Sequence, residues 1–205
     1  MEGMRIDPKD LEALEAYKLG TSVIVPRPIA WVGSRSKDGI DNLAPFSYFM
    51  GVSTNPPSMA ISVARGRGGV LKDTAKNILQ TGVFTVSTVS HPMVDAMVDS
   101  SRPWPSDQSE FVRSNVSAMD ADLIDAPRPA DAQDCMECSL VHVHDMQTTH
   151  LLVGEVLRYH LQDEAVRVDA KGHRVVDIGA LEPVGRLGSH DYCVVRDTFV
   201  RKPQK

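Results

Sequence analysis

Cysteine is scarce in this chain: Cys135, Cys138 and Cys193 are the three among 205 residues. A sparse, odd count excludes a disulfide framework as the source of stability. No run approaches the roughly 20 apolar residues that a membrane span needs. Basic residues do not dominate either. Twenty-two Lys and Arg stand against 27 Asp and Glu, a net charge of −5, so sequence-independent nucleic-acid binding is not expected. The opening "MEGMRIDPKDLEALEAY" is polar and charged rather than a secretory leader, and the cytoplasm is the expected compartment. There is no internal repeat, no low-complexity linker, no Gly-x-Ser-x-Gly elbow and no carboxylate pair marked for acid–base work.

What is present is an ordinary globular composition, 42% hydrophobic and 24% charged. One domain over residues 1–205 is expected, with its core at about 20–195. Leu11, Ala13, Leu14 and Tyr17 recur at helical spacing before Gly20 and predict a helix at about 9–18. The next segment, "TSVIVPRPIAWVGSRSKDGIDNLAPFSYFMGVSTNPPSMAISVA", reads as strands separated by turns, with a hairpin at Asp38-Gly39. Pro28 and Pro45 predict that their strands are edged, bent or bulged. "DTAKNILQTG" predicts a helix capped by Asp73, facing inward with Ile78 and Leu79 and ending at Gly82. A strand at 83–89 and a short helix at 92–99 follow, then a Pro/Ser-rich excursion at 100–110. "DCMECSLVHVHDM" and "THLLVGEVLRYHL" predict two long strands, and "AVRVDAKGHRVVD" a hairpin turning at Lys171-Gly172. Strands outnumber helices, and the helices are too few for a βαβ alternation. The fold class is mainly β: an antiparallel barrel with attached helices.

The segment "VARGRGGVLKDTAKNI" raises a chemical question. A strand feeds a glycine loop, and the loop feeds a helix start. Glycines let backbone N–H groups converge, and the first turn of a helix leaves N–H groups unpaired with partial positive charge. Arg65, Arg67 and Lys72 add full charges and Thr74 a hydroxyl, which suits a phosphate-type oxyanion. The spacing fits neither common nucleotide loop. Counted from Gly66, Leu71 stands where both a Walker loop and a dinucleotide fingerprint need glycine. A solvated basic turn ahead of a capped helix accounts for the same residues.

The flanking motifs carry more. "PRPIAWV", "NLAPFS", a Pro-Pro loop, Lys-Asp-Thr followed by Asn-Ile, a Gly-x-Phe strand, then "LVGEV" and "GRLGSHDY" occur in that order. Together they resemble the flavin reductase-like, FMN-binding split-barrel family over roughly residues 20–195. The resemblance implies a Greek-key-like split barrel that dimerises with a second copy and holds one FMN per subunit near the interface. It implies that Ala30, Trp31, Val32, Gly33 and Ser34, with Asn42, Ala44, Pro45 and Ser47, line the flavin ring and ribityl chain. Ser53 and Asn55 would lie near them. Arg65, Lys72 and Thr74, with Asp73 in the same loop, would hold the phosphate, and His190 and Tyr192 would lie beside the flavin. Two positions depart from the family's usual pattern: Ser189 replaces a common glycine, and Ser87 a common asparagine.

Other constellations carry less. Cys135 and Cys138 have half a zinc site's spacing, but a strand puts them on opposite faces and no second pair exists, so no metal is expected. His142 and His144 share a strand face without a third ligand. The leading expectation is an NAD(P)H-dependent flavin oxidoreductase that uses FMN and NADH or NADPH and supplies a monooxygenase component or another acceptor. In it the flavin performs the hydride transfer and no side chain is catalytic. Two alternatives are a flavoredoxin-like electron carrier and an FMN-dependent enzyme acting on its own small organic substrate. No nucleic-acid or membrane partner is expected.

Overall fold

The computed structural model describes residues 3–203. The chain enters through a 3₁₀ turn at Pro8–Asp10 and helix α1, Ala13–Val23. This corrects the expected 9–18 helix: Gly20 lies inside α1 rather than at its end. The reason is local and tertiary. Thr21 Oγ1 and Ser22 Oγ donate back to the carbonyls of Tyr17 and Lys18. The buried Arg27 guanidinium donates to the carbonyls of Thr21 at 2.5 Å and Ile24 at 2.7 Å. The helix end is thus satisfied without a glycine cap.

The strands then run in quick succession: β1, Arg27–Pro28; β2, Ala30–Arg35; β3, Asp41–Phe46; β4, Phe49–Thr54; β5, Pro57–Ala64. Gly39, at φ +80°, makes the β2–β3 turn as its sequence predicts. Helix α2, Asp73–Thr81, leads into β6, Val83–Ser87. Gly82 closes α2 in the left-handed conformation. The N-cap of α2 is Lys72, not Asp73, and no side chain caps it. Ile78 is fully buried, whereas Leu79 is exposed, because only the first lies on the stripe that meets the barrel.

A 3₁₀ turn at His91–Met93 and helix α3, Val94–Ser100, precede the irregular 101–109 segment and helix α4, Glu110–Arg113. Short strands β7, Ala118–Asp120, and β8, Pro127–Pro129, pair with each other. The long strands β9, Asp134–Asp145, and β10, Thr149–Leu161, pair antiparallel with two irregularities in register. Hairpin β11, Val166–Val168, with β12, Arg174–Val176, turns at Gly172. Helix α5, Ile178–Leu181, and strands β13, Val184–Arg186, and β14, Tyr192–Val194, complete the chain.

The main sheet has the order β3-β2-β6-β9-β10-β5-β4, with every pairing antiparallel. Strands β3 and β4 occupy opposite edges of it, yet only two residues separate them in sequence. The sheet must therefore curl until its edges meet, and the Ser62 N–H donating to the Tyr48 carbonyl at 2.9 Å sits at that seam. Pro45 lies on edge strand β3, and Pro28 on β1 at the edge of the small β1-β13-β14 sheet, where a missing N–H costs no ladder bond.

Strand β2 explains how the molecule holds two cores. Ala30 and Val32 join Phe46, Ile61, Ile78, Phe84 and Leu152 inside the barrel. Trp31, on the opposite face, packs with Ile29, Leu43, Met97, Phe111 and Val184. The period of two sends successive side chains of one strand into different cores. Each large side chain buried this way contributes roughly 1.5–3 kcal/mol.

Candidate functional site

Three adjoining cavities follow strand β3. The first, about 340 Å³, lies between β3 (Asn42, Ala44, Pro45, Phe46), the start of α2 (Lys72, Asp73, Thr74) and the segment Ser100 to Trp104, with Gly66 and Glu110 completing it. The second, about 400 Å³, shares Pro45 and Ser101 with the first. It opens between α1, Arg27, Ser47 and the closing motif Arg186, Ser189, His190 and Tyr192. The third, about 210 Å³, shares Asn42, Asp73 and Glu110 with the first and is rimmed by Asp38, Asp41 and Asp107.

The first cavity has the features of an anion site. The Lys76 N–H makes the first intrahelical bond, to the Lys72 carbonyl, so the N–H groups of Asp73, Thr74 and Ala75 have no helical partner. With no side-chain cap, these donors and the helix dipole remain available to a ligand. Thr74 is buried and its Oγ1 accepts from Asn42 Nδ2 at 2.9 Å, which leaves the hydroxyl proton free to donate. Asn42 is held in turn, because its Nδ2 also reaches Ser34 Oγ at 3.2 Å and Asn77 Nδ2 reaches the same oxygen at 3.2 Å. Lys72 and Arg102 supply the positive charge on the walls.

The second cavity is organised by Arg27. Besides closing α1, its guanidinium donates to the Leu187 carbonyl at 2.7 Å and to Ser47 Oγ at 3.3 Å. One buried cation thus ties the leading helix, the end of β3 and the closing motif into one wall. The Arg186 guanidinium lies 4.4 Å over the Tyr192 ring and also donates to the Tyr192 hydroxyl. Ser189 holds φ +54°, a left-handed conformation that glycine adopts without strain and serine does not.

The structure brings together Asn42, Ala44, Pro45, Lys72, Asp73 and Thr74 around the first cavity and Pro45, Ser47, His190 and Tyr192 around the second. It separates others from the cavities. Ala30, Trp31, Val32, Gly33 and Ser34 are fully enclosed in β2, between β3 and β6, and line neither cavity. Ser34 meets the first cavity's wall through Asn42, whose Nδ2 donates to its hydroxyl. Ser53 on β4 and Asn55 in the turn after it are exposed on the far edge strand. Arg65 does not line the first cavity. It is drawn to Asp145 at 2.8 Å and His150 at 3.2 Å, on the β10 side of the glycine loop. Arg102, Trp104 and Glu110 were not singled out from sequence. The only signal for them was the Pro/Ser-rich excursion at 100–110 that carries all three.

Burial pushes the Glu110 carboxyl above its ordinary range and the charge of Asp73 adds to this, while the N–H groups of Glu110 itself and Leu43 oppose it. Burial also raises the Cys135 thiol, to about 11, and the Cys138 thiol further, so neither is a reactive thiolate. Cys138 belongs to the barrel core with Phe84 and Val156, and Cys135 does not, as opposite strand faces require. His142 and His144 are exposed on β9. Among the described residues, one cluster has the composition of a metal site, Asp122, Glu137 and His160. Its groups are already engaged. Glu137 accepts from the N–H groups of Asp122 and Leu123 and pairs with His160 at 2.5 Å, and Arg158 holds Asp122 at 2.7 Å.

A curled antiparallel barrel, with a helix start shaped for phosphate at one end of a joined cleft, defines a class of nucleotide-cofactor-binding barrels. The chain belongs within it to the flavin reductase like domain family, whose model matches residues 22–175. An uncharacterised protein of Aquifex aeolicus is 36% identical over 187 residues, 90% of this chain and 92% of its own. Nitrilotriacetate monooxygenase component B from Bacillus cereus is 30% identical, with a TM-score of 0.90 over 98% of this chain and 100% of its own. The 2-nitrobenzoate 2-nitroreductase of Pseudomonas fluorescens is 29% identical, with a TM-score of 0.87 over 98% and 96%. No helix among the described residues is long and apolar enough to cross a membrane.

Proposed function

We propose that this protein binds FMN and passes a hydride from NADH or NADPH to it, delivering the electrons to a separate acceptor. The carrying observation is the joined cleft: an uncapped helix start with Lys72 and buried Thr74 at one end, and the Arg186, His190 and Tyr192 wall at the other. A phosphate-bearing flavin fits this donor set, since three backbone N–H groups, a hydroxyl and an ammonium converge where a phosphate needs donors. When bound, FMN supplies the hydride-accepting ring atom and the redox chemistry.

The chain's own residues bind, orient and shield. Lys72, Thr74 and the α2 N–H groups anchor the phosphate and so fix the position of the rest of the ligand. Pro45, shared by both cavities, gives an apolar surface along its length, and Ile29 and Met97 exclude water from the second cavity. Ser47 is oriented by Arg27. No side chain is needed as a proton donor in the hydride step. Pairing with a second copy through the β4 edge, where Met50 and Val52 are exposed beside Ser53 and Asn55, would carry those two residues to a neighbouring cleft.

The similarity to a monooxygenase component supports a partner oxygenase as acceptor. A second reading, reduction of a small organic substrate at the same cleft, is favoured by the similarity to a nitroreductase and by Pro103 and Trp104 bordering the first cavity. A visible spectrum of the purified protein, followed by anaerobic titration with NADH and NADPH, tests the proposal. Bound flavin bleached by either nucleotide supports it. No flavin binding, and no nucleotide oxidation with FMN, FAD or riboflavin added, would sink it. Rapid reoxidation by one nitroaromatic compound, but not by free flavin, would select the second reading.

A further inference from the structure

Glu110 is a buried carboxyl that the proposed reaction does not use. It stands where the first and third cavities meet and borders both, as do Asn42 and Asp73. Its Oε2 accepts from the Leu43 N–H of β3 at 3.1 Å. Besides its own N–H, no other donor to the carboxyl is found among the described residues, so it keeps acceptor or donor capacity toward the cavity. The same cavity contains the free N–H groups of α2, Lys72 and Thr74.

An ionised carboxylate here would repel a phosphate, while a protonated one would donate to it. Burial, and with it the charge of Asp73, favours the proton. From α2, Lys72, Asp73 and Lys76 border the two cavities. From the β2–β3 turn and β3 come Asp38 and Asp41, the latter paired with Arg35 at 2.6 Å. The 101–109 segment contributes Arg102, paired with Asp99 at 3.2 Å, and Asp107. On the same helix Arg113 is engaged by Gln108 at 2.7 Å. Of these, Asp73 raises the Glu110 carboxyl by its charge, while Asp38, Asp41 and Asp107 line the third cavity that Glu110 also borders.

We infer that Glu110 is a proton-carrying ligand for the flavin phosphate: it takes up a proton as the phosphate binds and donates that proton in a hydrogen bond to a phosphate oxygen. The inference rests on the flavin reading and adds to it a proton linkage specific to the phosphate. It makes Glu110 a group that distinguishes FMN from flavins lacking the phosphate.

The test is calorimetric titration of FMN, and separately of riboflavin, into flavin-free full-length protein near pH 8. Two buffers of different ionisation enthalpy are used, with the wild type and Glu110→Gln. Free FMN is a dianion at this pH, since a phosphate monoester loses its second proton near pH 6. The expected result is proton uptake with FMN in the wild type, little or none in the variant, and none with riboflavin in either. Wild-type FMN affinity should then fall by up to roughly tenfold per pH unit above neutrality, and the variant's should stay flat. The glutamine retains an acceptor for the Leu43 N–H, and the wild-type uptake is decisive even if the variant folds poorly. Wild-type binding without proton uptake overturns the inference while leaving the flavin reading intact. Equal uptake in both proteins also overturns it, and so does equal weakening of FMN and riboflavin in the variant, which would place Glu110 on the ribityl hydroxyls. No flavin binding to the wild type sinks the inference and the flavin reading together.

Discussion

Replacing Gly33 by alanine separates packing from ligand contact at the centre of β2. A Cβ at this position would lie 2.5 Å from Thr85 Oγ1 and closer still to the Pro127 carbonyl oxygen. Those two atoms are themselves joined by a 2.6 Å hydrogen bond, which is buried. The methyl group can be housed only by pushing β8 away from β2 or by breaking that bond. Overpacking of this kind costs about 1–3 kcal/mol, and leaving the hydroxyl and carbonyl unsatisfied about 1–3 kcal/mol more, so a loss of roughly 2–6 kcal/mol is expected. For a chain of this length that corresponds to a fall in Tm of about 4–24 °C by circular dichroism or calorimetry. At a temperature where the variant is still folded, FMN affinity should be unchanged within about twofold, because Gly33 borders neither cavity. A melting temperature within about 2 °C of wild type would refute the packing argument. An intact melt with lost FMN binding would return Gly33 to the ligand.

Two further perturbations probe other parts of the account. Ser189→Gly removes a side chain from a left-handed backbone position and should stabilise the protein by about 1 kcal/mol, seen as a higher urea midpoint; a lower midpoint would show that the hydroxyl contributes more than the strain costs. Burial alone would push Glu137 up, but His160 and the N–H groups of Asp122 and Leu123 outweigh it and hold the carboxyl below its usual range. A depressed carboxyl stabilises the fold above its unfolded pKa, about 4.3, and that stabilisation disappears as pH falls through the folded value. Glu137→Gln should therefore be less stable near neutrality and should lose less stability on acidification. Urea midpoints between about pH 3 and pH 7 read this directly, and parallel curves for the two proteins would contradict it.

Much of the barrel could be read from local pattern. The alternation in β9 and β10 and the turns at Gly39, Gly82 and Gly172 depend on neighbours within a few residues, and they fall where the sequence places them. That Lys72 and Thr74 stand at a helix start was also legible, because a glycine loop before a helix is a local feature. What escaped depends on long-range partners. The pairing of Arg65 with Asp145, 80 positions later, has no local sign. Gly20 looks like a helix end until Arg27 satisfies the carbonyls beyond it. The burial of "AWVGS" comes from packing on both faces of β2, with Ala30 and Val32 in one core and Trp31 in the other. Glu110 carries no local sign of burial, since only its approach to Leu43 on β3 encloses it.

The most direct measurement is the affinity of FMN and of riboflavin for wild type and for the Lys72→Ala, Thr74→Ala double variant, followed by flavin fluorescence at low and high salt. If the start of α2 holds the phosphate, the variant binds FMN well over tenfold more weakly, because an ionic hydrogen bond alone is worth roughly 1.5–3 kcal/mol. Riboflavin affinity stays the same, and the FMN deficit shrinks as salt screens the charge. Unchanged FMN affinity in a folded variant would contradict the account and leave the glycine loop a basic surface turn.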